Sequence, residues 1–337
     1  MRALRLNSPN NYRIENVEPG TLKPGWVRIR IKSVGVCGSD LASMAGKLAF
    51  TKFPITPGHE FSGIISEVNT CRQVKVGDYV TANPVFSCGV CSECQKGRIN
   101  HCDEVEVLGV IHHDGAYAEE LMLPESMIEV LPERISYEEA AMIEPIAVAE
   151  RAVRKAHVVD GSHVAIFGAG NIGLIVLQIA RAFGAEKILV IEPQASRIAV
   201  AREMGADIVL TPDELQEQMS SYRDSFHAVI DGVSRDDTLL SGIELGAKGG
   251  NILVYGVPKS DLTPIPLFNL FRKDMRLITC RLYQRSFKKA IELLSEGRIH
   301  VNPMITHRVN LEDFPGLVSK IAHGKEKAIK IIINVED

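Results

Sequence analysis

The stretch SHVAIFGAGNIG, beginning at Ser162, joins a β-branched run directly to a glycine-rich turn. It then enters a helix-spaced apolar stripe, Ile172, Ile175, Val176 and Ile179, that stops before Gly184. A chain satisfies that order as strand, tight turn, helix. Gly168 permits the turn, Gly170 lets the backbone approach a pyrophosphate, and Gly173 lets helix and strand pack closely. The first helical amides, at Asn171 and Ile172, then face the phosphates together with the positive end of the helix. Glu192 closes the next strand, KILVIE, where a dinucleotide site keeps an acid for the ribose. Its oxygens can accept from both ribose hydroxyls and its charge would repel a 2′-phosphate, so the pattern predicts NAD rather than NADP. Arg197 lies just beyond and could contact a ribose hydroxyl or a phosphate. Tyr255 and Gly256, within NILVYGV, complete the expected cofactor contacts. The glycines could serve packing alone, but strand, helix and acid all stand where a cofactor needs them.

ADIVL, HAVIDG, NILVYGV and MRLITC add four strand candidates, with helical segments between them. Six strands with helical crossovers predict a parallel, doubly wound α/β sheet of the Rossmann kind. The N-terminal third differs: WVRIRIKSV alternates with period two, and FSGIISEV and GDYVTAN follow between glycines and prolines, as in a small β-rich barrel. After Cys280 a helix, SFKKAIELLSEG, leads to β-like pieces such as AIKIIIN, so the chain is expected to return to its first domain. A length of 337 residues suits two domains. The expected division is 1–145 with 283–337, and 146–282.

With 38 basic against 42 acidic residues the net charge is −4, and no block of like charges points to nucleic acid or an anionic membrane. The N-terminus lacks the apolar core of a signal peptide and no apolar run has the length of a membrane span, which predicts a cytoplasmic protein. Thiols are held reduced there, so the seven cysteines read as ligands, catalytic groups or buried fillers rather than disulfides. Cys88, Cys91, Cys94 and Cys102 follow C-x2-C-x2-C-x7-C, which lets four thiolates converge on one tetrahedral ion. Four thiolates leave no open position, so a zinc ion held there is structural. An iron–sulfur cluster also takes four cysteines, and a redox CxxC pair lacks its usual strand-to-helix setting here. His112, His113 and Asp114 read as a solvated loop, and Cys71 and Cys280 receive no role.

CGSD at 37–40, GHE at 58–60, the four-cysteine run and the glycine fingerprint occur in one order along essentially the whole chain. On these motifs the sequence resembles the zinc-dependent medium-chain alcohol and polyol dehydrogenases of the sorbitol dehydrogenase-like kind. The resemblance implies a GroES-like β-rich catalytic domain beside the Rossmann domain, with a structural zinc in the four-cysteine lobe. It also implies a second, catalytic zinc on Cys37, His59 and Glu144. Glu60 would be either a direct ligand or an outer partner that trades places with water. An open fourth position would take an alcohol, Ser39 would relay its proton, and hydride would pass to NAD. The run LASMAG after CGSD departs from the sorbitol dehydrogenase pattern, and Ala42 and Met44 are expected to shape a different pocket.

LGV before a DG pair, together with MIEP, gives a texture closest to bacterial RspB-like and L-galactonate dehydrogenase-like proteins. Ser39, Glu144 and Arg281 are the expected substrate contacts. Arg281 could clamp a sugar-acid carboxylate, or pair with cofactor phosphates or a nearby acid. A small-molecule alcohol as partner and a homo-oligomer, dimer or tetramer, formed through the edge strand of the dinucleotide domain complete the expectation. The alternative is a regulatory protein of the same fold that binds a metabolite without turnover.

Overall fold

The run HVAIF, buried on both faces, occupies the middle of a sheet in a computed structural model that describes residues 1–258, 263–283 and 285–335. Its six strands stand in the order Ile208–Leu210, Lys187–Ile191, His163–Phe167, Phe226–Asp231, Gly246–Val254, Arg276–Thr279. Every neighbouring pair is parallel. Counted along the chain the order is 3-2-1-4-5-6, the doubly wound arrangement expected from the sequence. Helices cover such a sheet on both faces, which explains why HVAIF and KILVI are apolar without alternation. Strand order reverses between His163–Phe167 and Phe226–Asp231, and the glycine turn stands at the carboxyl end of the first of these. Ligands bind at that switch point in open α/β sheets.

The chain divides into two compact units. One comprises Met1–Glu144, Ala290–Ser295 and Ile305–Asp337, the other Pro145–Lys289 and Glu296–Met304. The stretch from 283 to Lys289 and the stretch Glu296–Met304 thus group with the sheet just described, whereas the sequence assigns all of 283–337 to the first domain. Gln178 ties the second of these stretches to its own helix: it accepts from the His300 N–H at 2.8 Å and donates to the His300 carbonyl at 3.2 Å.

In the first unit the period-two segment becomes the strand Trp26–Gly35, whose Val27, Ile29 and Ile31 point into the core. Arg28 on its other face pairs with Glu67 at 2.9 Å and Glu120 at 3.3 Å. The strand lies in a seven-stranded sheet with Glu60–Asn69 on one side and the last strand, Lys330–Asn334, on the other. The final strand runs antiparallel to it, with Ile332 opposite Gly35. The strand Lys330–Asn334 therefore lies beside the segment that leads into Cys37. Met44 corrects one expectation: it is buried within this core, so it forms no pocket wall, and Ala42 alone of the pair stays half-buried. Among the described residues no helix is long and apolar enough to cross a membrane.

Gly168 adopts φ +96°, and a Cβ on Gly173 would collide with the Gly168 carbonyl oxygen. Gly173→Ala must therefore open the turn, and we expect it to lose about 1–3 kcal/mol of stability in urea unfolding, in the range of an overpacked core.

Candidate active site

Cys37 immediately precedes the short helix Gly38–Met44, where its backbone N–H donates to Asp40 Oδ2 at 2.9 Å. Ser39 stands half-buried in the first turn of that helix. His59 directly precedes the strand Glu60–Asn69. Gly58, at φ +103°, lets the backbone pass under Tyr117, whose ring lies 2.6 Å from where a Cβ would stand. These two segments bring ligand atoms of Cys37, His59 and Glu60 within 4.8 Å of one another.

Behind them lies Asp40, which is 1% exposed. Its Oδ2 also accepts from the Tyr117 hydroxyl at 2.8 Å, and its Oδ1 faces His59 Nδ1 at 3.5 Å. Among the described residues neither Oδ1 nor that Nδ1 finds a hydrogen-bond partner. Burial alone would lower the proton affinity of His59, but the charge of Asp40 and contacts with Asp40 and Cys37 raise its pKa well above the usual value. Burial likewise works to raise Asp40, and His59, the Cys37 N–H and Tyr117 outweigh it and hold the carboxylate low. Burial and the charge of Asp40 push the Tyr117 phenol far up, so it remains a donor.

A proton on Nδ1 facing Asp40 would leave Nε2 free to ligate, the usual arrangement of a carboxylate behind a metal-binding histidine. One thiolate, one imidazole and one carboxylate, set in surroundings this favourable to positive charge, are a donor set that fits zinc. Asp40 stands in the quoted CGSD motif but receives no role from the sequence alone.

Glu60 and Lys330 form an ion pair in which each residue is 1% exposed. Lys330 Nζ also donates to the Val36 carbonyl at 3.3 Å. The sequence reading missed Lys330, and its one signal was a lysine inside an apolar strand, a position that demands a partner. Glu144 is 6% exposed at the start of the helix Ile143–Lys155, but it is not in the set gathered within 4.8 Å.

The four cysteines Cys88, Cys91, Cys94 and Cys102 form a second gathered set. Pairing of Val85–Phe86 with Glu106–Val107 closes the neck of their loop. The N–H groups of Cys91 and Cys94 each donate to the preceding cysteine's sulfur at 3.4 Å, which favours thiolates. The amides of Cys91 and Val90 lead in bringing Cys88 down to about 7. His112 and His113 pair with Glu106 at 2.6 and 2.8 Å and belong to neither set.

In the second unit Glu192 is buried, and both of its oxygens accept backbone N–H groups, from Ala169 at 2.8 Å and Gln194 at 2.9 Å. It thereby ties the glycine turn to the next strand. Gly170 precedes the helix Asn171–Ala182, with Ile172 in its first turn, and Arg197 Nη1 lies 3.8 Å from where a Gly170 Cβ would be. Tyr255 covers Gly232, leaving no room there for a side chain, and Gly256 abuts Ser234. Asp231, also missed, organises this edge: it accepts from Val233, Ser234 and Thr238, while the Tyr255 N–H donates to its carbonyl at 3.0 Å. Arg281 is exposed, and Arg151 Nη1 donates to its carbonyl at 2.9 Å.

The family model for an alcohol dehydrogenase GroES-like domain matches residues 23–133, and that for a zinc-binding dehydrogenase matches 171–296. L-idonate 5-dehydrogenase of Vitis vinifera is 32% identical over 329 residues, 94% of this chain and 89% of its own. Sorbitol dehydrogenase of Arabidopsis thaliana is 30% identical over 97% of this chain and 93% of its own. The crystal structure of the RspB alcohol dehydrogenase of Escherichia coli CFT073, complexed with NADH, superposes with a TM-score of 0.93 at 27% identity, covering 99% of each chain. The chain belongs to the zinc-dependent medium-chain alcohol dehydrogenases.

Removing one partner of a buried ion pair leaves an uncompensated charge, at a cost of about 3–5 kcal/mol. Lys330→Met should lose stability of that size in denaturant unfolding, and adding Glu60→Gln should restore part of it.

Proposed function

We propose that this chain oxidises a secondary alcohol of a polyol, sugar or sugar acid and passes the hydride to NAD. The convergence of Cys37, His59 and Glu60 with Asp40 behind the imidazole carries this reading. Cys37, His59 and Glu144 would hold a catalytic zinc and leave its fourth position for the alcohol, with Glu60 either a ligand or an outer partner that trades places with water, and the four-cysteine set would hold a structural zinc. Zinc supplies Lewis acidity that makes a substrate hydroxyl more acidic. The protein's own groups do the rest. Asp40 keeps the histidine tautomer and Lys330 offsets the charge of Glu60. The Ser39 hydroxyl, two residues from Cys37, takes the substrate proton toward solvent. The four thiolates fill a coordination sphere and leave no place for substrate, so their role is to hold their lobe.

Glu192 supports NAD because the two backbone N–H groups fix its carboxylate while each oxygen keeps a lone pair for a ribose hydroxyl. An introduced 2′-phosphate would meet a buried negative charge. Arg281 is proposed as the carboxylate clamp that would suit a sugar acid. The second unit offers a surface for self-association: Phe271 is 80% exposed beside Leu267 and Phe268, next to the edge strand Arg276–Thr279. A second copy adding its own edge strand would cover these groups.

A panel of polyols and sugar acids assayed for NADH formation tests the activity. Turnover on at least one, lost with chelator and regained with zinc, is the expected result. Tight metabolite binding without turnover would instead mark a regulatory protein. The Michaelis constant for NADP should exceed that for NAD by about tenfold or more, and Glu192→Ala should narrow the gap. In light scattering after gel filtration, Phe271→Asp should shift an oligomer toward monomer with no loss of helix content.

A further inference from the structure

Tyr117 is fully buried and belongs to no ligand set, yet it touches both segments that carry Cys37 and His59. Its backbone is fixed on two sides: its N–H donates to the Pro57 carbonyl at 3.0 Å, and its carbonyl accepts from the Leu4 N–H at 2.8 Å. The neighbouring Ala116 N–H donates to the Gly58 carbonyl at 2.9 Å, so the residues just before His59 are laced to the strip that bears the tyrosine. The ring lies over Gly58 and packs edge-on against Phe314 at 5.3 Å.

From that fixed position the hydroxyl donates to Asp40 Oδ2 at 2.8 Å, the same oxygen that accepts the Cys37 N–H at 2.9 Å. With Oδ2 held by two donors, the other oxygen, Oδ1, is left for His59 Nδ1. A carboxylate has a broad, roughly two-fold terminal torsion, so one donor alone would let it rotate. Two donors converging on one oxygen define which oxygen faces the imidazole. Phenylalanine would fill the same volume and pack equally on Gly58 and Phe314, so ring packing does not account for the hydroxyl.

We propose that the Tyr117 hydroxyl is a positioning residue for the metal centre, acting through Asp40 to hold His59 and the Cys37 segment in ligating geometry. The proposal rests on the reading that Cys37 and His59 hold zinc, and it adds the device that keeps them ready. Partners of this kind, one step removed from the metal, commonly change metal affinity by about 10–100-fold when lost.

The test measures zinc release from the holoenzyme into an excess of a chromophoric chelator, with the thermal unfolding midpoint followed in parallel. Wild type should release two equivalents per chain in separable phases. Tyr117→Phe should speed one phase by about tenfold and leave the other, from the four-cysteine lobe, unchanged. Asp40→Asn should speed the same phase, and Tyr117→Phe should add little in that background, because two links of one chain do not act independently. Unchanged release in Tyr117→Phe overturns the proposal. So does equal acceleration of both phases, full additivity with Asp40→Asn, or a collapse of the unfolding midpoint, each of which assigns the hydroxyl to the fold instead. A single releasable equivalent in wild type overturns the zinc reading itself, and with it this inference, before any variant is compared.

Discussion

Two carboxylates, Glu60 within the cluster of gathered ligand atoms and Asp40 behind it, are buried, and an unpaired buried charge costs several kcal/mol. The first unit is arranged to meet that demand. Asp40 is answered locally, by the Cys37 amide, and from a distance, by Tyr117 and His59. Glu60 is answered by Lys330, which reaches it because the final strand pairs antiparallel with the end of Trp26–Gly35. Sheet topology and charge compensation are thus one requirement: without the returning strand, Glu60 would be a buried anion facing a thiol and an imidazole.

The two metal-ligand sets follow opposite designs. The four-cysteine set is built within one loop, closed by a pair of two-residue strands, and its geometry needs little from the rest of the fold. The other set draws on the helix after Cys37 and the strand after His59, and its supporting groups come from residues near 117 and 330. A local set saturated with ligands suits a staple. A dispersed set of three gathered donors leaves its surroundings open to separate adjustment, since each supporting group comes from a different part of the chain.

Much of this is legible in the sequence alone. Strand-turn-helix at SHVAIFGAGNIG, the apolar run of each strand and the four-cysteine run are local patterns in which the residues that matter to one another are close in sequence. Asp40, Lys330, Asp231 and Tyr117 went unassigned because their partners lie far along the chain or are backbone groups with no sequence signature. Met44 shows the reverse failure: its place after CGSD suggested a pocket wall, but the pitch of the helix turns it into the core. The place of Glu192 at the end of a strand suggests a ribose acceptor, and what the structure shows is a carboxylate that ties the glycine turn to the loop after the next strand.

By itself, then, the sequence determined the class of fold, the turn at Gly168 to Gly173 and which residue types could bind metal, because periodicity, glycine freedom and thiolate spacing act over short stretches of chain. Only the tertiary structure decided which distant side chains complete the site. Lys330 meets Glu60 through strand pairing across most of the chain, and Tyr117 meets Asp40 through the lacing of residues 56–58 to 115–117. Such pairings are set by register and burial, and no single stretch of sequence contains either.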